Sequence, residues 1–112
     1  ELGIKSLIEP TLRVDGFFFA TNTIAVESLK IINQSGFKVP DDLAIVSFDE
    51  SIAFDFFYSP LTYIRQSVEE IGKEAVKLAL SRIADKTKKP TSVVIDASLV
   101  VRSSSKGAGK KK

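Results

Sequence analysis

The sequence predicts an α/β domain, an open and mostly parallel sheet with helices on both faces, three layers in all. Short apolar runs of strand length at 17–20, 43–48 and 61–65 are separated by longer segments, two of which have helical periodicity. Alternation of this kind implies βαβ units with right-handed crossovers. Polar residues gather where the strand runs end: Thr21, Asn22 and Thr23 after the first, Asp49 and Glu50 after the second, Gln66 after the third.

Each element has its own signal. Leu2, Ile4, Leu7 and Ile8 are loosely helical in spacing, and Pro10 should end that segment. Gly16 precedes Phe17-Phe18-Phe19-Ala20, a continuous apolar run that reads as a strand covered on both faces. Asn22 or Thr23 can cap the helix that follows, since their side-chain oxygens accept from orphan N–H groups. Ile24, Ala25, Leu29 and Ile32 make its apolar stripe, and Gly36 stands where a left-handed residue would end it. A turn at Val39-Pro40-Asp41-Asp42 leads to the strand Leu43–Phe48.

Residues 51–59 are irregular and rich in aromatics, and Leu61–Arg65 alternates as a short strand. Ser67 and Glu70 match a capping box. Val68, Ile71, Ala75, Leu78, Ala79 and Ile83 then form one apolar helix face, with Glu69 and Lys73 as an i,i+4 pair. Thr91–Ile95 and Leu99–Arg102 are β-branched strand runs. Residues 1–104 are expected to form one folded unit, and residues 105–112 a disordered basic tail. Indeed the whole stretch from Ser103 on has the composition of a mobile end.

Composition excludes several classes of function. The 112 residues suit one small domain at most, and 44% hydrophobic with 27% charged residues is a globular balance. Cys and His are both absent, which removes thiolate sites, His-based triads and the usual zinc ligands from this chain. A net charge of +2 makes no electrostatic case for nucleic acid. No apolar run is long enough to span a bilayer. Met is absent too, so Glu1 is not expected to be a natural start.

The polar strand ends are the candidates for binding, because ligands of open α/β sheets lie beyond the carboxyl ends of the strands. Asn22, Asp49 and Gln66 offer amides and a carboxylate suited to hydroxyl or amine groups. Each also has a plain reading: a helix cap, a turn residue and a structural hydrogen-bonding residue. Asp49 and Glu50 are adjacent, so their side chains point apart and do not make an acid–base pair. No Gly-rich phosphate loop precedes a helix. The chain is not expected to be an enzyme, and no metal or other cofactor is implied.

One series of motifs is specific. Asp15-Gly-Phe-Phe-Phe-Ala-Thr-Asn22, then Gly36–Glu50 with its Val39-Pro40-Asp41 turn, then Ser59-Pro-Leu-Thr-Tyr-Ile-Arg-Gln66, then Glu70-Ile-Gly72-Lys-Glu-Ala75 and Leu99-Val-Val-Arg102 occur in order. Together they resemble the lactose-repressor family of bacterial transcription regulators. The resemblance implies a partial C-terminal lobe of a periplasmic-binding-protein-like (type I) core, which binds a small effector between two lobes and forms the homodimer. It implies a small metabolite as the effector, usually a sugar or a nucleobase-type metabolite with a sugar favoured here, and a cytoplasmic protein without membrane attachment. Operator DNA would be reached only through an N-terminal domain outside this chain.

By motif, the resemblance assigns Asn22, Asp49 and Gln66 to the effector, while Thr23, Ser47 and Glu50 depart from the family's usual Asp, Gly and Asp. It assigns Glu27, Ile31, Phe54, Phe56 and Phe57 to the dimer contact. A periplasmic sugar-binding transport protein of the same architecture is the alternative reading. The Val39-Pro40-Asp41 turn and the Pro60–Gln66 segment fit a regulator better.

Overall fold

The structure, a computed structural model, describes residues 2–7 and 14–107. The expected stop at Pro10 and the lysines at 110–112 lie outside the described residues. Elements follow the predicted order: α1 (Leu2–Leu7), β1 (Gly16–Phe19), α2 (Asn22–Ser35), β2 (Ala44–Phe48), a 3-10 turn (Ile52–Asp55), β3 (Thr62–Arg65), α3 (Val68–Ala84), β4 (Ser98–Val100) and a second 3-10 turn (Ser103–Ser105). The chain divides into two units. One takes in residues up to Arg65 and from Leu99 onward, and the other is Gln66–Ser98.

The first unit carries the sheet, in the order β1-β2-β3-β4. Its β1–β2 pair is parallel, from Gly16 opposite Ala44 to Phe19 opposite Ser47. The β2–β3 pair is also parallel, from Val46 opposite Thr62 to Phe48 opposite Ile64. Two parallel neighbours in sequence order need a crossover, and α2 supplies the first. Gly36 closes α2 at φ +81, the left-handed position that the absence of a Cβ makes inexpensive. The core gathers Phe19, Ala25, Leu29 and Ile32 from β1 and α2 with Leu43, Ile45, Phe54, Leu61 and Tyr63.

Several expectations change. The cap of α2 is Thr21, whose Oγ1 accepts from the Ile24 N–H at 3.3 Å, so Asn22 and Thr23 are helical residues instead. The Phe17–Phe19 run is not covered on both faces. Phe17 and Phe19 stack on one face at 5.7 Å, while Phe18 points to the other and is 59% exposed. At the end of the strand order, β1 has a neighbour on one side only. The serines near the carboxyl end are not a mobile stretch, because Ser103–Ser105 form a turn and Ser104 is fully buried. The Ser104 hydroxyl donates to the Ile45 carbonyl at 2.6 Å and accepts from the Thr62 N–H at 2.8 Å.

The second unit is α3 and the segment after it. Glu69 and Lys73 pair at 2.6 Å as expected, and Glu74 with Lys77 at 3.1 Å. Both pairs are exposed and contribute a few tenths of a kcal/mol at about one helical turn's spacing. Ser67 precedes the helix without the expected cap, since its hydroxyl donates to the Asp96 carbonyl at 3.5 Å. Asp85 ends the helix and accepts from both the hydroxyl and the N–H of Thr87, which holds its carboxyl below the usual range. None of the α3 side chains is buried. The expected strand at Thr91–Ile95 is absent, and Val94 is 88% exposed. High β propensity does not make a strand where no ladder partner is present.

Candidate functional site

The carboxyl ends of the strands in the first unit converge on one corner. β1 delivers the chain to the start of α2, where Asn22 is the first helical residue. β2 ends at Phe48 and Asp49 follows at φ +66. That left-handed conformation is uncommon outside glycine, with Asp and Asn the residues that tolerate it best. The Asp49 N–H donates to the Ile64 carbonyl of β3 at 3.0 Å, so the corner is tied to the third strand as well.

Asn22 faces the same corner. Its Nδ2 donates to the Glu50 carbonyl at 2.8 Å, and its Oδ1 accepts from the Thr23 hydroxyl at 3.3 Å. The amide thus joins the beginning of α2 to the turn after β2. Gln66 opens the second unit directly after β3, and its carbonyl accepts from the Val68 N–H at 3.0 Å. Of the three sequence-assigned residues, the first unit brings Asn22 and Asp49 together.

Sequence reasoning missed a charged network at this corner. Arg65 Nε donates to Glu50 Oε2 at 3.0 Å, and its Nη2 donates to the Tyr63 hydroxyl at 2.7 Å. The guanidinium carbons of Arg65 and Arg102 lie 5.5 and 5.4 Å from the centre of the Tyr63 ring, within cation–π range. Arg102 in turn donates to Asp55. Hydrogen bonds to Glu50 and Tyr63 raise the Arg65 pKa above its ordinary value. The signal was present in β3: Tyr63 and Arg65 are two apart, so they share one strand face. No group of Asp and Glu suited to hold a metal ion occurs among the described residues.

The dimer candidates separate. Phe54 is fully buried in this chain and packs on Tyr63 with centroids 6.0 Å apart, so it is a core residue and leaves the interface set. Phe56 is 82% exposed and Phe57 half-buried. Both border a groove of about 230 Å³ with Val26, Lys30 and Asn33 of α2. Ile31 is largely buried and Glu27 exposed, and they line a larger groove of about 410 Å³ on another flank of α2, closed by Ile4 of α1.

Comparison with known proteins gives a consistent result. Residues 2–105 match the family model described as a periplasmic binding protein-like domain. The HTH-type transcriptional regulator CelR of Thermobifida fusca is 31% identical over 101 residues, which is 90% of this chain and 30% of that protein. The HTH-type transcriptional repressor MelR of Bacillus subtilis is 36% identical over 101 residues, 90% of this chain and 29% of that protein. The chain therefore spans about a third or less of the curated relatives it matches. A solved transcriptional regulator CelR–cellobiose complex superimposes with a TM-score of 0.82 at 30% identity, covering 92% of this chain and 32% of that one.

Proposed function

Since the chain belongs to the periplasmic binding protein-like domain family and aligns with lactose-repressor-family regulators, we propose that it is the effector-binding and dimerisation part of a transcription regulator. The effector is a sugar, held at the corner formed by Asp49 and the start of α2, with the rest of its surroundings coming from a second lobe. Operator DNA is bound through a separate domain of the complete protein, which acts as a homodimer in the cytoplasm. The chain itself catalyses no reaction. The relatives named above are transcription regulators, which supports this reading over a periplasmic carrier.

The observation that carries the proposal is Asp49. A carboxylate at a strand's carboxyl end, on backbone turned out of the extended conformation, can accept from two sugar hydroxyls in charge-assisted hydrogen bonds. Asn22 supports it by holding the adjacent Glu50 carbonyl. Gln66 remains an assignment by resemblance.

Titration calorimetry of the complete protein with cellobiose, sucrose and ribose tests the reading. Asp49→Ala is expected to weaken binding of whichever sugar binds by about 1.5–3 kcal/mol, the cost of losing a hydrogen bond to a charged group. Unchanged affinity would remove Asp49 from the site.

For the dimer, Phe56 is the residue to change, because its ring is exposed beside a groove and exposed aromatics in a patch mark interfaces. Phe56→Asp should shift the complete protein toward monomer in sedimentation while leaving sugar affinity intact. A variant that stays fully dimeric at micromolar concentration would show that this face is not the contact.

A further inference from the structure

We infer that Arg65 is a positioning residue of the effector site and sets the Asp49 corner through Glu50; this rests on the reading of Asp49 given above. Asp49 stands at φ +66, a conformation uncommon outside glycine even for Asp, and its surroundings hold it there. Three bonds do so. The Asp49 N–H is tied to Ile64, the Glu50 carbonyl to Asn22, and the Glu50 carboxylate to Arg65. The first two grip main-chain atoms on either side of the turn. The third is a charged contact from side chain to side chain.

Arg65 is itself anchored. Its Nη2 donates to the Tyr63 hydroxyl, and Tyr63 is 4% exposed with its ring against Phe54. The line of force runs from a buried ring through the guanidinium to Glu50 and the corner. A guanidinium serves two partners at once with a rigid planar fork, which an ammonium cannot do.

Magnitude separates this role from a stabilising one. The Arg65 and Glu50 side chains are 49% and 55% exposed, and exposed ion pairs add little to stability. What the pair supplies is geometry at the residue that meets the effector.

The test uses the complete protein with cellobiose, sucrose and ribose as probes. Arg65→Gln should weaken sugar binding about three- to tenfold, with Tm lowered by about 3 °C or less. Arg65→Lys, which keeps the charge and loses the fork, should fall between the two. Glu50→Gln should reproduce the loss, and the double variant should be no worse than either single one. Unchanged affinity in Arg65→Gln, or losses that add in the double variant, would overturn the inference. If none of the sugars binds the wild-type protein, the effector reading fails, and amide exchange at Asp49 still decides the role of Arg65. Faster exchange in Arg65→Gln supports it, and equal protection overturns it.

Discussion

Phe54→Ala is expected to destabilise the first unit by about 3–5 kcal/mol, the range for deleting a fully buried aromatic ring. Phe54 projects from the 3-10 turn Ile52–Asp55, which begins where Ser51 Oγ accepts from the Ala53 N–H at 3.3 Å. That turn drives the ring under the sheet, where it is completely buried and meets Tyr63. Truncation leaves a cavity beside Tyr63, whose ring Phe54 packs against and which is itself buried. Equilibrium urea unfolding measures the effect. Ile52→Ala, in the same turn and 78% exposed, serves as the control and should fall within about 0.5 kcal/mol of wild type. A loss below about 1 kcal/mol for Phe54→Ala would contradict its place in the core.

Ser104→Ala is expected to cost about 2–4 kcal/mol, far more than the removal of an ordinary hydroxyl. The Ser104 hydroxyl sits between two main-chain groups, the Ile45 carbonyl of β2 and the Thr62 N–H that begins β3. Removing the oxygen leaves both without that partner in a site closed to water. Around it, Thr62 Oγ1 accepts from the Arg102 N–H at 2.9 Å and lies 2.6 Å from Ser105 Oγ. Unfolding measurements give the magnitude. Amide exchange at Thr62 gives the location and should accelerate by more than the global loss explains. A variant with native stability and native exchange at Thr62 would sink the assignment.

The two predictions differ in how visible they were. Aromatic density at 54–58 showed that some rings must be buried, but not which. The choice depends on the 3-10 turn, whose signal is a single Ser51 hydroxyl. The parallel sheet was legible because apolar runs of strand length and helical stripes alternate, a pattern that few topologies satisfy. Asp49 was legible as the residue leaving a strand. Its left-handed backbone was not, since that follows from the pull of Ile64 and Asn22 from other elements.

The misses share a cause. Thr91–Ile95 has strand residues but forms no strand among the described residues, whereas Ser103–Ser105 has tail composition and bonds to Thr62. In both places long-range pairing overrode local propensity. The Arg65–Glu50 pair was out of reach for the same reason, as it joins the ends of two different strands.

The hydroxyl bridge also bears on the order in which the chain can mature. Its bonds link residues 42 and 59 positions apart, and they close the seam between the two central strands from the carboxyl side. Contacts of such span form late, since the loop entropy is lost before the contact is gained. As the protein emerges from the ribosome, β2 and β3 are complete some forty residues before Ser104 is made. Until then the seam at Thr62 is open to water and to other chains. A chain truncated after Val101 should therefore show the same fast exchange at Thr62 as Ser104→Ala.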